Sequence, residues 1–264
     1  GVEINENEKG IFVSLSDQFA IKDDTLFILE ANPRASRTMP FVSKVTGNQI
    51  IKAGTLLMLG HSLDSIKKTT NYLNSSTNKI AIKKAIFPWS RFPAEDTMLG
   101  PEMKATGEVL GIGRSFGVAL NKAYAAAGVE INENEKGIFV SLSDQEKPNF
   151  IKIVKTYSDL GFKIYSTYGT GEYLKNSEIN STIVGRADET FPTSLTILQD
   201  KLISLVINTP TFANEYTDGW KIRRLSHETG VAVVSSVREA EAFLKAFLET
   251  TKSFEDMEAI QNVS

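Results

Sequence analysis

The sequence predicts an α/β protein: a C-terminal doubly wound five-stranded parallel sheet, preceded by a smaller α+β portion and a mixed linker. Three observations carry this. From Gly137 onward, five short apolar strand patterns alternate with five helix patterns, the rhythm of βαβ units. The helical stretches keep one apolar face, as with Phe150, Ile153, Val154, Tyr157 and Leu160. Before Gly137 that rhythm is missing, and polar and Pro/Gly-rich stretches interrupt the chain.

In chain order, residues 25–30 (TLFILE) are a strand candidate after a turn at Lys22-Asp23-Asp24, and Asn32-Pro33 breaks it. Residues 48–59 place Ile50, Ile51, Ala53, Leu56, Leu57 and Leu59 on a mostly buried helix that Gly60 ends. Residues 67–79 read as a linker and 80–87 as a strand. Residues 88–114 read as an irregular connection. Ser115 caps a helix that runs to Ala127 and closes at Gly128. Strands at 138–142, 163–166, 182–184, 203–207 and 231–235 then lead into helices at 147–160, near 171–177, 193–202, 218–229 and 237–249.

Composition narrows the function classes. The chain has 264 residues, 41% hydrophobic and 23% charged, which suits one or two globular domains. A net charge of −3 gives no basic signature of nucleic-acid or anionic-membrane binding. The absence of cysteine excludes disulfides, thiolate metal sites and thiol nucleophiles. His61 and His227 are too few for a His-rich metal centre. No apolar run of about 18 residues suggests a membrane span, and no signal-peptide pattern opens the chain, so the cytoplasm is the expected compartment. A start at Gly1 suggests a fragment or a processed product.

Residues 1–18 and 128–145 are identical letter for letter, GVEINENEKGIFVSLSDQ. A structural repeat preserves pattern and drifts in sequence; this one has no drift and no third copy. It therefore reads as a recent duplication or a junction artefact. The second copy leads into a strand and a helix, so it is taken as the native one.

Two constellations can carry chemistry. Glu30 and Asn32 lie two apart at a strand end and so share a face. A carboxylate and an amide oxygen suit a hard cation such as Mg²⁺, with Arg34 or Arg37 beside them for phosphate. The same spacing also fits a solvated strand end. Parallel sheets bind ligands beyond the carboxyl ends of their strands, which selects 141–145, 167–171, 185–186, 208–211 and 235–236. Thr167-Tyr168-Gly169-Thr170-Gly171 joins a strand end to a helix start. Its hydroxyls, amides and helix terminus make an anion cradle, or an ordinary capped turn. Lys147, Arg186, Asn208 and Thr209 come from neighbouring strand ends. Gly111, Gly113 and Gly117 miss the dinucleotide fingerprint by one residue and read as a helix-start turn. His227, Trp89 and Trp220 read as structural.

The string LEANPRASRTMPFVSKVTG (29–47) resembles the ATP-grasp signature in the second synthetase half of the carbamoyl-phosphate synthetase large subunit. FPWSRFPAEDTMLGPEMKATGEVLGIGRSF (87–116), STYGTG (166–171), LVINTP (205–210) and TDGWKIRR (217–224) continue the resemblance. With residues 1–17 set apart as the duplicated segment, it implies the end of an ATP-grasp domain at 18–70, a connector at 71–134 and a methylglyoxal-synthase-like regulatory domain at 135–252, followed by a tail at 253–264. It implies Mg²⁺ or Mn²⁺ ligands at Gln18, Glu30 and Asn32, and a phosphate contact at Arg34. It implies allosteric effector contacts at Ser141, Lys147, Thr167, Thr170, Arg186 and Asn208, with Thr209 beside them. Arg186 stands where a relative has lysine, and Lys84 where some have an acid that binds ornithine.

The parent activity so implied is ATP-dependent synthesis of carbamoyl phosphate from bicarbonate and glutamine or ammonia, for pyrimidine and arginine biosynthesis. Its partners would be the rest of the large subunit and a glutaminase small subunit, and its effector an anion such as UMP or IMP. Most of the large subunit has no counterpart in this sequence, so the isolated chain is expected to be inactive. Unpartnered apolar faces and self-association are further expectations. A stand-alone nucleotide or N-acetylglutamate binding module is the alternative. A methylglyoxal synthase is disfavoured, because 185–188 (GRAD) and 141–143 (SLS) lack that enzyme's acidic loop and His-Asp pair.

Overall fold

A computed structural model describes residues 15–34, 36–70, 78–92, 95–98, 106–129, 137–187, 189, 192–209 and 217–250. It divides into two compact units, one ending at Lys79 and one running from Ile80.

In the first unit, β1 (Leu15–Lys22) and β2 (Thr25–Pro33) form an antiparallel ribbon. Asp23 and Asp24 both adopt positive φ, 50° and 57°, which a two-residue hairpin turn of matching twist requires. Leu26, Phe27, Ile28 and Leu29 run consecutively and are all exposed, as is Ile21, so apolar residues face outward from both sides of the ribbon. Three helices come next: α1 (Thr38–Thr46), α2 (Ile50–Met58) and α3 (Leu63–Thr69). The expectation of a mostly buried helix at 48–59 is corrected. In α2 only Ala53 is buried, and Met58 is 85% exposed. Among the described residues of this unit no further layer covers that face.

The second unit opens with β3 (Ile80–Ile86) paired antiparallel to β4 (Gly107–Gly113), with a 3₁₀ turn at Trp89–Arg91 between them. Residues 88–114 are therefore not wholly irregular. Three of their glycines belong to β4, where Gly111 and Gly113 admit α4 (Phe116–Ala126) onto the strand. A Cβ at Gly111 would fall 2.0 Å from the Ala119 carbonyl oxygen. The near-fingerprint glycines thus serve helix packing. Ser115 caps α4, its Oγ accepting the Val118 N–H at 3.3 Å.

The parallel sheet has β5 (Gly137–Ser141), β6 (Lys163–Ser166), β7 (Thr182–Ile183), β8 (Leu205–Asn208) and β9 (Ala232–Val234), in the order β7-β6-β5-β8-β9. The connecting helices are α5 (Lys147–Asp159), α6 (Tyr168–Asn176), α7 (Ser194–Gln199) and α8 (Asp218–Thr229), and α9 (Val237–Thr250) closes the domain. All five strands are parallel, as predicted. β5 is buried on both faces. Ile138 and Val140 join Phe150, Val154, Leu174 and Phe243 in one core, while Phe139 joins Ile197, Leu198 and Ile222 in the other. This two-sided burial explains why these strands read as unbroken apolar runs. α4 packs against α9, through the Tyr124–Phe243 ring contact at 5.2 Å and the Gly117 N–H donated to Glu249 at 2.6 Å.

The repeated sequence takes two forms. Leu15-Ser16-Asp17-Gln18 lies in β1, whereas the same four residues at 142–145 form the turn between β5 and α5. Strand 11–15 of the first copy lies largely outside the described residues.

Candidate functional site

In the strand order above, chain connections run one way from β5 through β6 to β7, then return to the other side through β8 and β9. The switch point falls between β5 and β8, where a crevice opens at the carboxyl ends. Ser141 and Asn208 face each other in register there. A cavity of about 1450 Å³ occupies this end of the sheet. Ser141, Lys147, Thr167, Thr170, Arg186, Asn208 and Thr209, all singled out from the sequence, line it together.

Its floor is a hydroxyl and amide network. Thr170, 1% exposed, accepts the Leu142 N–H at 3.0 Å, and Thr167 donates to its hydroxyl at 3.2 Å. Thr209 accepts the Ser143 N–H at 2.7 Å, and its own N–H reaches the Ser141 carbonyl at 3.1 Å. Thr167 occupies the N-cap position of α6 but makes no capping bond. Its hydroxyl turns to Thr170 instead, so no N-cap side chain covers the start of α6, where the helix dipole favours an anion. Gly171 packs α6 down on the strands: a Cβ there would fall 2.7 Å from Ser166 Oγ.

Cations and carboxylates alternate around the rim. Lys147 Nζ lies 2.5 Å from Asp144 Oδ1; the lysine side chain is 11% exposed and the aspartate 94%. Asp144 is the exposed partner and Lys147 the buried one, so the ammonium stays paired only while Asp144 or another anion stands beside it. Arg186 is exposed, with Nε 3.9 Å from Asp218 Oδ2. Trp220, read from the sequence as a packing residue, also lines the cavity, at the start of α8. Arg223 and Asp96 went unnoticed in the sequence. A signal existed: two adjacent arginines, Arg223 and Arg224, sit within a helix pattern, and buried arginines need partners.

The second constellation lies in the first unit. Gln18 stands opposite Glu30 in the ribbon register, just before a bulge. Asn32 Nδ2 donates to Glu30 Oε1 at 3.0 Å. Arg34, exposed, comes just after the end of β2. Three residue types bearing oxygen donors thus stand at one end of the ribbon. Among the described residues no cluster of three His, Cys, Asp or Glu side chains occurs. His227 is half-buried beside Trp89, at 5.7 Å between rings. Burial, with Lys84 and Arg224 nearby, brings its pKa down to about 4. Burial also lowers the Lys84 pKa, and Glu239 partly opposes this. No described helix is long and apolar enough to cross a membrane.

Residues 149–235 match the family model of the MGS-like domain. A carbamoyl phosphate synthase large chain, C-terminal section, from Aquifex aeolicus is 35% identical over 273 residues, covering 96% of this chain and 51% of its own. The chain is a homologue of the C-terminal section of the carbamoyl phosphate synthase large chain. The large chain of Brucella suis is 40% identical over 237 residues, covering 87% of this chain and 20% of its own. The C-terminal section from Methanocaldococcus jannaschii is 35% identical over 249 residues, covering 91% and 40%. The chain thus spans about half or less of the length of these carbamoyl phosphate synthase relatives.

Proposed function

We propose that the chain is the effector-binding end of a carbamoyl phosphate synthase large chain, and that its parallel-sheet domain binds an anionic effector. The observation that carries this reading is the assembly of all seven implied contact residues around one cavity at the switch point. A phosphate or carboxylate would sit over the start of α6, taking a hydrogen bond from Thr170, and one from Thr167 once its hydroxyl turns away from Thr170. Lys147 would exchange Asp144 for the ligand, and Arg186 would close the rim. UMP and IMP are the ligands to try first, with N-acetylglutamate as the acyclic competitor.

In the whole enzyme, the ribbon would contribute to ATP-dependent phosphorylation during carbamoyl phosphate synthesis from bicarbonate and glutamine or ammonia. The residue types suit a hard cation, since Gln18, Glu30 and Asn32 all bear oxygen ligands, and the pairing of Gln18 with Glu30 in the ribbon supports the reading. Mg²⁺ or Mn²⁺ held there would neutralise charge on ATP phosphates. Arg34 would hold a phosphate oxygen from the same strand end. The rest of the large chain and a glutaminase small subunit would be the partners, in the cytoplasm, serving pyrimidine and arginine supply. An isolated binding module is the second reading. It is favoured by the placement of the whole cavity within the unit that begins at Ile80.

A thermal-shift panel with UMP, IMP, N-acetylglutamate, ornithine and Mg-ATP tests the reading. A ligand at about 100 times its Kd should add about 2.7 kcal/mol to stability. Thr170→Ala should weaken the binding ligand by about 1–2 kcal/mol. No shift with any anion, or an unchanged affinity in that variant, would overturn the cradle.

A further inference from the structure

The effector reading treats Asn208 as a ligand contact but leaves open which of its atoms the ligand meets. Asn208 is 3% exposed, and its carboxamide is held from behind. Arg223 Nη1 donates to Asn208 Oδ1 at 2.6 Å. Arginine has donors only, so the face of the carboxamide turned to it must be the oxygen. Asn208 Nδ2 is then directed the other way, where one of its hydrogens reaches the Ser141 carbonyl at 3.4 Å. Arg223 is itself fixed as a fork. Its Nε donates to Asp96 Oδ1 at 3.0 Å, and its Nη2 pairs with Asp96 Oδ2. Asp96 Oδ1 also accepts the Met98 N–H at 3.1 Å. Gly219 keeps the space over this joint clear. A Cβ there would lie 3.1 Å from Arg223 Nη1 and 3.4 Å from Asn208 Oδ1.

We infer that the Asp96–Arg223 pair is a positioning device that makes Asn208 a hydrogen-bond donor toward the cavity, so that the ligand atom beside it is an oxygen acceptor. This rests on the anion-site reading and deepens it. The device also ties the ligand to a distant part of the chain. Asp96 belongs to the stretch between β3 and β4, so any displacement of residues 95–98 reaches Asn208 through one guanidinium. Lysine at 223 cannot reproduce this, because a single ammonium lacks the planar fork that serves two partners at once.

The test is nuclear magnetic resonance of the ¹⁵N-labelled chain. It tracks the Asn208 side-chain amide, with inorganic phosphate as the added probe. Without phosphate, Asp96→Asn should shift and broaden the Asn208 amide signals, and unchanged dispersion of the remaining amide signals shows that the fold survives the loss of this carboxylate. With phosphate, Asp96→Asn and Arg223→Lys should each weaken binding about tenfold, the equivalent of about 1.4 kcal/mol. Thr170→Ala should weaken it too. An Asn208 amide unmoved by Asp96→Asn overturns the brace. A moved amide with unchanged phosphate affinity overturns its role in binding. A moved amide in a chain that binds no phosphate overturns the anion reading and the ligand half of this inference, and leaves the brace standing.

Discussion

Replacing Gly111 by alanine tests whether the glycines before α4 exist for packing. The added Cβ would lie 2.0 Å from the Ala119 carbonyl oxygen, 2.6 Å from the Ala123 nitrogen and 3.0 Å from the Ala123 Cβ. The two nearest partners are backbone atoms, so no side chain can turn aside. Relief requires α4 to retreat from β4 by roughly an ångström or more, since a non-bonded carbon prefers a separation of about 3.5 Å. Ala119 and Ala123 are fully buried, and the Tyr124–Phe243 contact lies on the same helix, so retreat opens voids on the way. Overpacking costs about 1–3 kcal/mol, and a methyl driven against backbone belongs at the upper end. A loss of about 3 kcal/mol should lower the melting temperature by roughly 6–12 °C for a unit of this size. Urea denaturation of the whole chain measures it. Gly128→Ala separates sterics from conformation, since no atom lies within 4 Å and only its φ of 80° penalises a side chain, by about 1 kcal/mol. If Gly111→Ala costs under about 0.5 kcal/mol, the range of an ordinary surface substitution, close approach of α4 does not explain these glycines.

Two further outcomes are expected. The folded state holds His227 near a pKa of about 4 against an ordinary 6.5, so the unfolded chain binds more protons in between. Stability should therefore fall as pH drops from about 6.5 towards 4, by at most about 3 kcal/mol, and His227→Gln should remove that share of the slope. Ser115→Ala deletes the acceptor for the Val118 N–H and should cost about 1 kcal/mol in denaturant titration.

The parallel sheet was legible because its central strands are buried on both faces and each helix shows one apolar stripe. The cradle was legible for a related reason: the fold rule fixes which strand ends face the ligand, and residues 167–171 occur at one of them. What escaped was set by partners distant in sequence. Nothing local to Gly111 and Gly113 distinguishes a broken strand from one on which a helix rests. Trp220 gave no hint of lining a cavity, because its role depends on where β8 ends. Arg223 depends on Asp96, which lies 127 residues earlier. The helix at 48–59 showed the opposite failure: its apolar spacing promised burial, and the described residues of its unit supply no layer to bury it.

The two copies of Leu-Ser-Asp-Gln are a matched pair within one molecule. One copy is strand in β1, and the other turns from β5 into α5. Intrinsic residue preferences within the four positions are identical, so they cancel between the sites. So do the preferences of the fourteen residues that precede each copy. The entire free-energy difference between the two conformations must come from the residues C-terminal to each copy and from its surroundings in space. Transplanting the pairing partner Glu30-Ala31-Asn32-Pro33 next to the second copy would be needed to turn it into ribbon; altering the tetrapeptide itself would not single out either state.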